Sequence, residues 1–168
     1  AFKYSVRMGI IIERTAYLSL IGILIRSNSY AKVVKVVEAM TGAGHSLGTY
    51  LSVLLIYRLG CARRAACAAK IFDLLPDDQK STAAFTALIG VYFTVGNPDK
   101  GLQIYKTMLE KGIYPALGTY NVVLAGLENC GRISEAGFYR KEKKSLQLNS
   151  RSQETVSLEE KICDLVFA

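Results

Sequence analysis

The 168-residue sequence has no tryptophan, three prolines and one histidine. Scarce proline removes most of the places where a helix interior would have to break. Its four cysteines, Cys61, Cys67, Cys130 and Cys163, form no CxxC pair, and His45 is the sole imidazole. The clustered ligands that a zinc site requires are therefore missing. The cysteines read instead as small buried apolar residues of a reducing compartment, and neither a metal nor a cofactor is expected.

Long apolar runs are lacking too. The run 16–25 is bounded by Arg14 and Arg26, and the run 81–98 carries Thr82, Thr86, Thr94 and Asn97. A spanning helix needs about 20 predominantly apolar residues, so both runs read as helices buried on several sides, and no membrane is expected. No signal or transit peptide is visible, and the chain opens on Ala1 without Met, as a processed or truncated form would. Catalytic groupings are absent as well. His45 has no nearby Cys or acidic partner, and Asp77-Asp78 has no second carboxylate cluster to converge with. The glycine-rich stretch 42–48 follows a predicted helix rather than a strand and lacks GKS or GKT, so it is an inter-repeat turn and not a phosphate loop. Nothing assembles a nucleophile, a base and an orienting group, and neither enzyme activity nor a small-molecule substrate is expected.

What is present is hydrophobic and basic. Apolar residues make up 51% of the chain, enough for a substantial core, and the net charge is +7. Residues 1–84 carry eleven Lys/Arg against five Asp/Glu, whereas the rest carries ten against nine. Such a balance favours phosphate-bearing partners through long-range attraction, without implying sequence specificity.

The apolar residues repeat. Aligning Tyr50, Phe85 and Tyr120 at steps of 35 residues brings Val53, Leu88 and Val123 together, then Leu54, Ile89 and Leu124, then Tyr57, Tyr92 and Leu127. This stripe at i, i+3, i+4 and i+7 is a buried helix face. A fourth copy, Tyr17, Leu20, Ile21 and Leu24, lies 33 residues upstream of the Tyr50 copy. Gly96 and Gly131 have the spacing of helix-ending glycines, and Asn97-Pro98 that of a cap and first turn. The pattern predicts first helices over 16–27, 48–59, 82–94 and 117–129, and second helices over 30–41, 63–75, 98–111 and 133–147. One such hairpin cannot bury its apolar face alone, but stacked copies can. The expected units are 14–46, 47–81, 82–116 and 117–151, with a partial repeat or cap at 1–13 and a capping helix at 152–168.

The stretch Leu117-Gly118-Thr119-Tyr120-Asn121-Val122-Val123-Leu124-Ala125-Gly126-Leu127 resembles the start of a pentatricopeptide repeat, and Met108-Leu109-Glu110-Lys111-Gly112-Ile113-Tyr114-Pro115 resembles the end of one. The resemblance covers residues 14–151 and is strongest from 82 onward. The closing Ser157-Leu158-Glu159-Glu160-Lys161-Ile162-Cys163-Asp164-Leu165 is similar to the end of the short chloroplast thylakoid-assembly splicing factors. The resemblance implies an all-α fold, a right-handed α-α superhelix of four to five helix-turn-helix repeats closed by a C-terminal capping helix. It implies a single-stranded RNA-binding protein assisting group II intron splicing in the chloroplast stroma, with the mitochondrion as second choice. A homodimer on RNA and other splicing proteins are accompanying expectations. The competing reading is a protein-interaction solenoid, a subunit of an organellar ribosome or polymerase assembly.

The resemblance also points to base-reading pairs: Leu18 with Ser46, Leu51 with Ser81, Thr86 with Ala116, and Asn121 with Arg151. Leu18 and Leu51 depart from the usual polar residue, leaving Thr86 and Asn121 as readers or, alternatively, as simple helix-start caps. Arg26 and Arg58, late in their first helices, are the expected phosphate contacts. Lys143, in the basic run Arg140-Lys141-Glu142-Lys143-Lys144, is a further candidate against the alternative of a solvated outer face. The expected RNA-binding set is Thr86, Asn121, Arg26, Arg58, Arg151 and Lys143.

Overall fold

The computed structural model describes residues 12–149, so the expected caps at 1–13 and 152–168 lie largely or wholly outside the described residues. Eight α-helices and no strand occur among the described residues. In chain order they are α1 (Arg14–Arg26), α2 (Tyr30–Gly42), α3 (Thr49–Cys61), α4 (Ala65–Asp73), α5 (Thr82–Thr94), α6 (Pro98–Glu110), α7 (Leu117–Asn129) and α8 (133–149). A short 3-10 turn, Asp77–Gln79, follows α4. The helices pair as hairpins, α1 with α2, α3 with α4 and α5 with α6, and the hairpins stack into an α-α superhelix.

Local chemistry accounts for the ends. The Asn97 side chain accepts from Lys100 N–H and Pro98 sits in the first turn of α6, while Ser81 accepts from Ala84 N–H at the start of α5. Gly96 and Gly131 hold the left-handed conformation that turns a first helix into its second. In the first two hairpins the matching turn residues are Asn28 and Arg63, also at positive φ. Arg63 thus occupies a conformation costing a non-glycine residue roughly 1–2 kcal/mol.

The register differs from the one read off the aromatics. First helices start at residues 14, 49, 82 and 117, and second helices at 30, 65, 98 and 133, giving steps of 35, 33 and 35. The short unit is therefore the second, whose α4 has nine residues against thirteen in α2 and α6. We place the unit divisions at 48/49, 81/82 and 116/117, so the first division moves two residues from 46/47. The buried columns follow this register: Val33, Ala68, Gly101 and Ala136; Val37, Phe72 and Tyr105; Met40, Leu75 and Met108. In α3 the inward residues are Ser52, Leu55, Ile56 and Leu59, and Tyr50 and Tyr57 face outward. The stripe assigned to Tyr50 was the wrong face of that helix.

The core is continuous from Tyr17 to Ala136. Phe72 and Phe85 meet edge to face at 4.8 Å across the second and third units, a pairing worth about 0.5–1.5 kcal/mol beyond area burial. Hydrogen bonds spanning neighbouring units add direction. Gln79 donates to Ser46 Oγ and Tyr105 to Glu142, while within the first unit Arg14 of α1 donates to the Ser46 and Leu47 carbonyls near its end.

Candidate nucleic-acid interface

First helices line one face of the stack. Along α3, α5 and α7 this face holds a groove of about 930 Å³. Two glycines let the helices approach. A Cβ on Gly60 would fall 2.7 Å from Val91 Cγ2, and one on Gly126 would fall within 2.7 Å of three ring atoms of Phe93. The groove floor is correspondingly small, with Ala83, Ala87, Gly90, Gly118 and Ala125. Its α3 wall is aromatic: Tyr50 is 78% exposed and Tyr57 60%. They lie seven residues apart, about 10.5 Å along the helix, on one side. A hydrogen bond with the Cys61 thiol is the main cause that raises the Tyr57 pKa, so its phenol stays neutral in ordinary buffers. Cys61 itself is exposed, contrary to the expectation that the cysteines are buried.

The expected site residues separate. Thr86 lines the groove, but its hydroxyl donates to Thr82 O at 2.7 Å and lies 2.8 Å from the buried Thr119 hydroxyl. Thr119 in turn accepts from Ala116 N–H, so a relay runs from Ala116 through Thr119 and Thr86 to Thr82 and fastens α7 to α5. Asn121 is exposed, and Lys143 Nζ donates to its Oδ1 at 2.7 Å. The two are thereby brought together, with the Asn121 amide N–H groups left to donate outward. On the structural register, the fifth residue of each first helix is Leu18, Val53, Thr86 and Asn121; Leu51 belongs elsewhere. Likewise Gly48, not Ser46, closes the first unit.

Arg26 and Arg58 are brought together at a second cavity, between α1 and α3. Arg151 lies outside the described residues. Two arginines near the C-terminal end of the stack are already engaged: Arg132 pairs with Asp99 and Glu135, and Arg140 with Glu128. Hydrogen bonds to Glu135 and Asp99 raise the Arg132 pKa further, so its charge is permanent. Tyr50 and Tyr57 were missed as surface groups because their spacing also fits a buried stripe. No group of His, Cys, Asp or Glu suited to a metal occurs among the described residues, nor does a helix long and apolar enough to cross a membrane.

Comparison with known proteins adds the lineage. Residues 80–129 match the model of the PPR repeat family. A pentatricopeptide repeat-containing protein of Arabidopsis thaliana is 52% identical across 100% of this chain, which spans 29% of that protein's length. A second from the same plant is 47% identical over 164 residues, 97% of this chain and 90% of the relative. A third, whose name carries the word chloroplastic, is 27% identical over 125 residues, 71% of this chain and 15% of its own length. The crystal structure of the pentatricopeptide repeat protein PPR10 from maize superposes with a TM-score of 0.62 at 21% identity, covering 86% of this chain and 21% of that one, a likeness of fold. The chain belongs to the pentatricopeptide repeat family, whose members are generally organellar RNA-binding proteins.

Proposed function

We propose that this chain is a binding scaffold for single-stranded RNA that assists organellar RNA processing, with chloroplast group II intron splicing as its process. The observation that carries the reading is the groove with Tyr50 and Tyr57 on one wall and small residues beneath. Every base has a π-face, so exposed aromatic walls take unstacked bases with little regard to sequence, each stack contributing about 1–3 kcal/mol. Duplex RNA offers no such faces, because its bases are already stacked. A net charge of +7 supplies the long-range attraction. Asn121 oriented by Lys143, and the remaining lone pair of Thr86, supply a few polar contacts to base edges. Arg151 would extend those contacts.

The test is fluorescence anisotropy with the intact protein and unstructured RNA. Single strands should bind, with affinity falling as salt rises, and duplex should bind poorly. Tyr50→Ala or Tyr57→Ala should each weaken binding about 5- to 150-fold, and the Phe variants should retain it. No binding at low salt would sink the proposal. For the finer assignment, loss of the protein in the plant should lower the splicing of particular plastid introns, and unaltered intron removal with altered RNA ends would place it at another processing step. Light scattering with and without RNA decides whether two copies assemble on it.

A further inference from the structure

The first unit meets the second unlike any later pair of units. Later first helices interlock: a Cβ on Gly60 of α3 would collide with Val91 of α5, and one on Gly126 of α7 with Phe93. Between α1 and α3 there is no such notch. A Cβ on Gly22 in α1 would meet nothing nearer than the Arg26 guanidinium of its own helix, at 3.7 Å. A cleft of about 610 Å³ opens there instead, walled by Leu18 and Ile25 of α1 and by Leu51 and Leu54 of α3. The two units touch along the second helices α2 and α4, where Val33, Val37, Ala68 and Ile71 are buried. Ser46 Oγ and the Gln79 amide exchange hydrogen bonds of 3.0 and 2.7 Å beside this seam, and the Arg64 guanidinium lies 6.0 Å from the centre of the Tyr30 ring.

Within the first unit the chain is clasped end to end. Arg14 at the start of α1 donates to the Ser46 and Leu47 carbonyls, and His45 Nε2 lies 3.0 Å from the Ile12 carbonyl oxygen. The Tyr17 and His45 rings meet at 5.8 Å. Residues 12–47 therefore hold together as one body, and the next residue is the joint. Ahead of the other first helices the chain is extended, at Glu13, Ser81 and Ala116, with φ of -67°, -73° and -91°. Gly48, ahead of α3, has φ 80° and ψ 156°, a region essentially confined to glycine. Hinges are a few element-terminal residues that absorb large changes in φ and ψ, and a residue without a Cβ does so with least hindrance.

We propose that Gly48 is a hinge on which the first unit swings about the α2–α4 seam, opening and closing the α1–α3 cleft. Two opposed forces set the angle. Closing removes the apolar walls from water. It also carries Arg26 toward Arg58 and Arg63, a basic rim in which no member joins an ion pair among the described residues. All three are exposed, so salt screens their repulsion. At the other end of the stack, Asp99 and Glu135 neutralise Arg132, and the Gly126 notch locks α7 on α5. The first unit is thus an arm set by charge, and the later units are its rigid frame. Closed, α1 joins the row of α3, α5 and α7; open, it stands off. Neither state depends on what the groove binds.

The experiment is a pulsed spin-label distance measurement on the full chain, with its own thiols replaced by Cys61→Ser, Cys67→Ala, Cys130→Ala and Cys163→Ser. Labels at the exposed positions Ser19→Cys on α1 and Thr94→Cys on α5 report the hinge, and labels at Lys70→Cys on α4 and Thr94→Cys report the frame. Distances from 19 to 94 should be broadly distributed and those from 70 to 94 narrowly. Raising the salt from about 0.1 to 1 M cuts the Debye length from about 10 to 3 Å and should shift the 19-to-94 distances shorter. Arg26→Gln with Arg58→Gln should give the same shift at low salt. Gly48→Ala is strained at this φ, so it should move and narrow the 19-to-94 distribution. A 19-to-94 distribution as narrow as the 70-to-94 one overturns the hinge, and so does one that a folded Gly48→Ala leaves unchanged. Distances indifferent to both salt and the arginine exchanges overturn the control by charge. Should Gly48→Ala not fold, the two distributions of the parent decide.

Discussion

Gly126→Ala should destabilise the protein even though alanine is the better helix former. In the middle of a helix the exchange by itself would stabilise by about 1 kcal/mol. Here the added Cβ would lie within 2.7 Å of Phe93 Cγ, Cδ1 and Cδ2, closer than real Cβ contacts come. The clash is with the root of the ring, so it cannot be relieved by a swing of a flexible tip. Phe93 is buried, and a Cβ on Gly101 would already lie 3.2–3.5 Å from its far edge, so the ring has little room to retreat. Overpacking of this kind costs about 1–3 kcal/mol, and expelling the ring forfeits a burial of similar size. With a 2.2 Å approach placing the cost toward the upper end of that range, the propensity gain leaves a net expected loss of up to about 2 kcal/mol. Urea denaturation should show a lower midpoint at unchanged m. Phe93→Leu in the same chain should reduce the cost, giving a coupling energy in a double-mutant cycle. Gly137→Ala in α8 is the control, because a Cβ there meets nothing within 4 Å and should stabilise by up to about 1 kcal/mol. If Gly126→Ala stabilises as Gly137→Ala does, the close approach of α5 and α7 that shapes the groove is refuted.

Thr86→Val interrupts the relay from Ala116 to Thr82 and strands the buried Thr119 hydroxyl, so stability should fall by about 1–2 kcal/mol; an unchanged urea midpoint would show that Thr86 has no structural part. Arg63→Gly relieves a left-handed residue and should stabilise by up to about 1 kcal/mol while weakening RNA binding; equal RNA affinity would remove Arg63 from the basic rim. Burial, first of all, raises the pKa of Tyr105, Tyr139 and Tyr92, with the Tyr120 and Glu142 neighbours adding to it at Tyr105. A raised folded pKa means that their contribution is complete below the unfolded value of about 10 and is lost as pH climbs above it. Urea midpoints should therefore drop above about pH 10, less steeply in Tyr105→Phe, and a tyrosinate absorbance titration of the folded protein that is wholly normal would contradict this.

Periodicity and punctuation were legible in the chain itself, because both are local. An apolar residue every three or four positions and a glycine where the chain must turn left-handed place a helix without reference to anything distant. Accordingly the expected bounds of α5 and α7 coincide with the observed ones, and Asn97 and Pro98 start α6 as expected. Which face of α3 is inside was not legible. Tyr50-Val53-Leu54-Tyr57 and Ser52-Leu55-Ile56-Leu59 have the same i, i+3, i+4, i+7 spacing, so α3 reads as apolar nearly all round. The choice between them was made by the Gly60–Val91 contact with α5 and by the shortening of α4, which moved the register by two residues. The same contact turned Tyr50 and Tyr57 out into the groove. The sequence could count arginines, but only the stacking of units decided that Arg132 meets Asp99 while Arg26 and Arg58 meet each other's cleft, since ion pairing depends on distances between helices that no local pattern encodes.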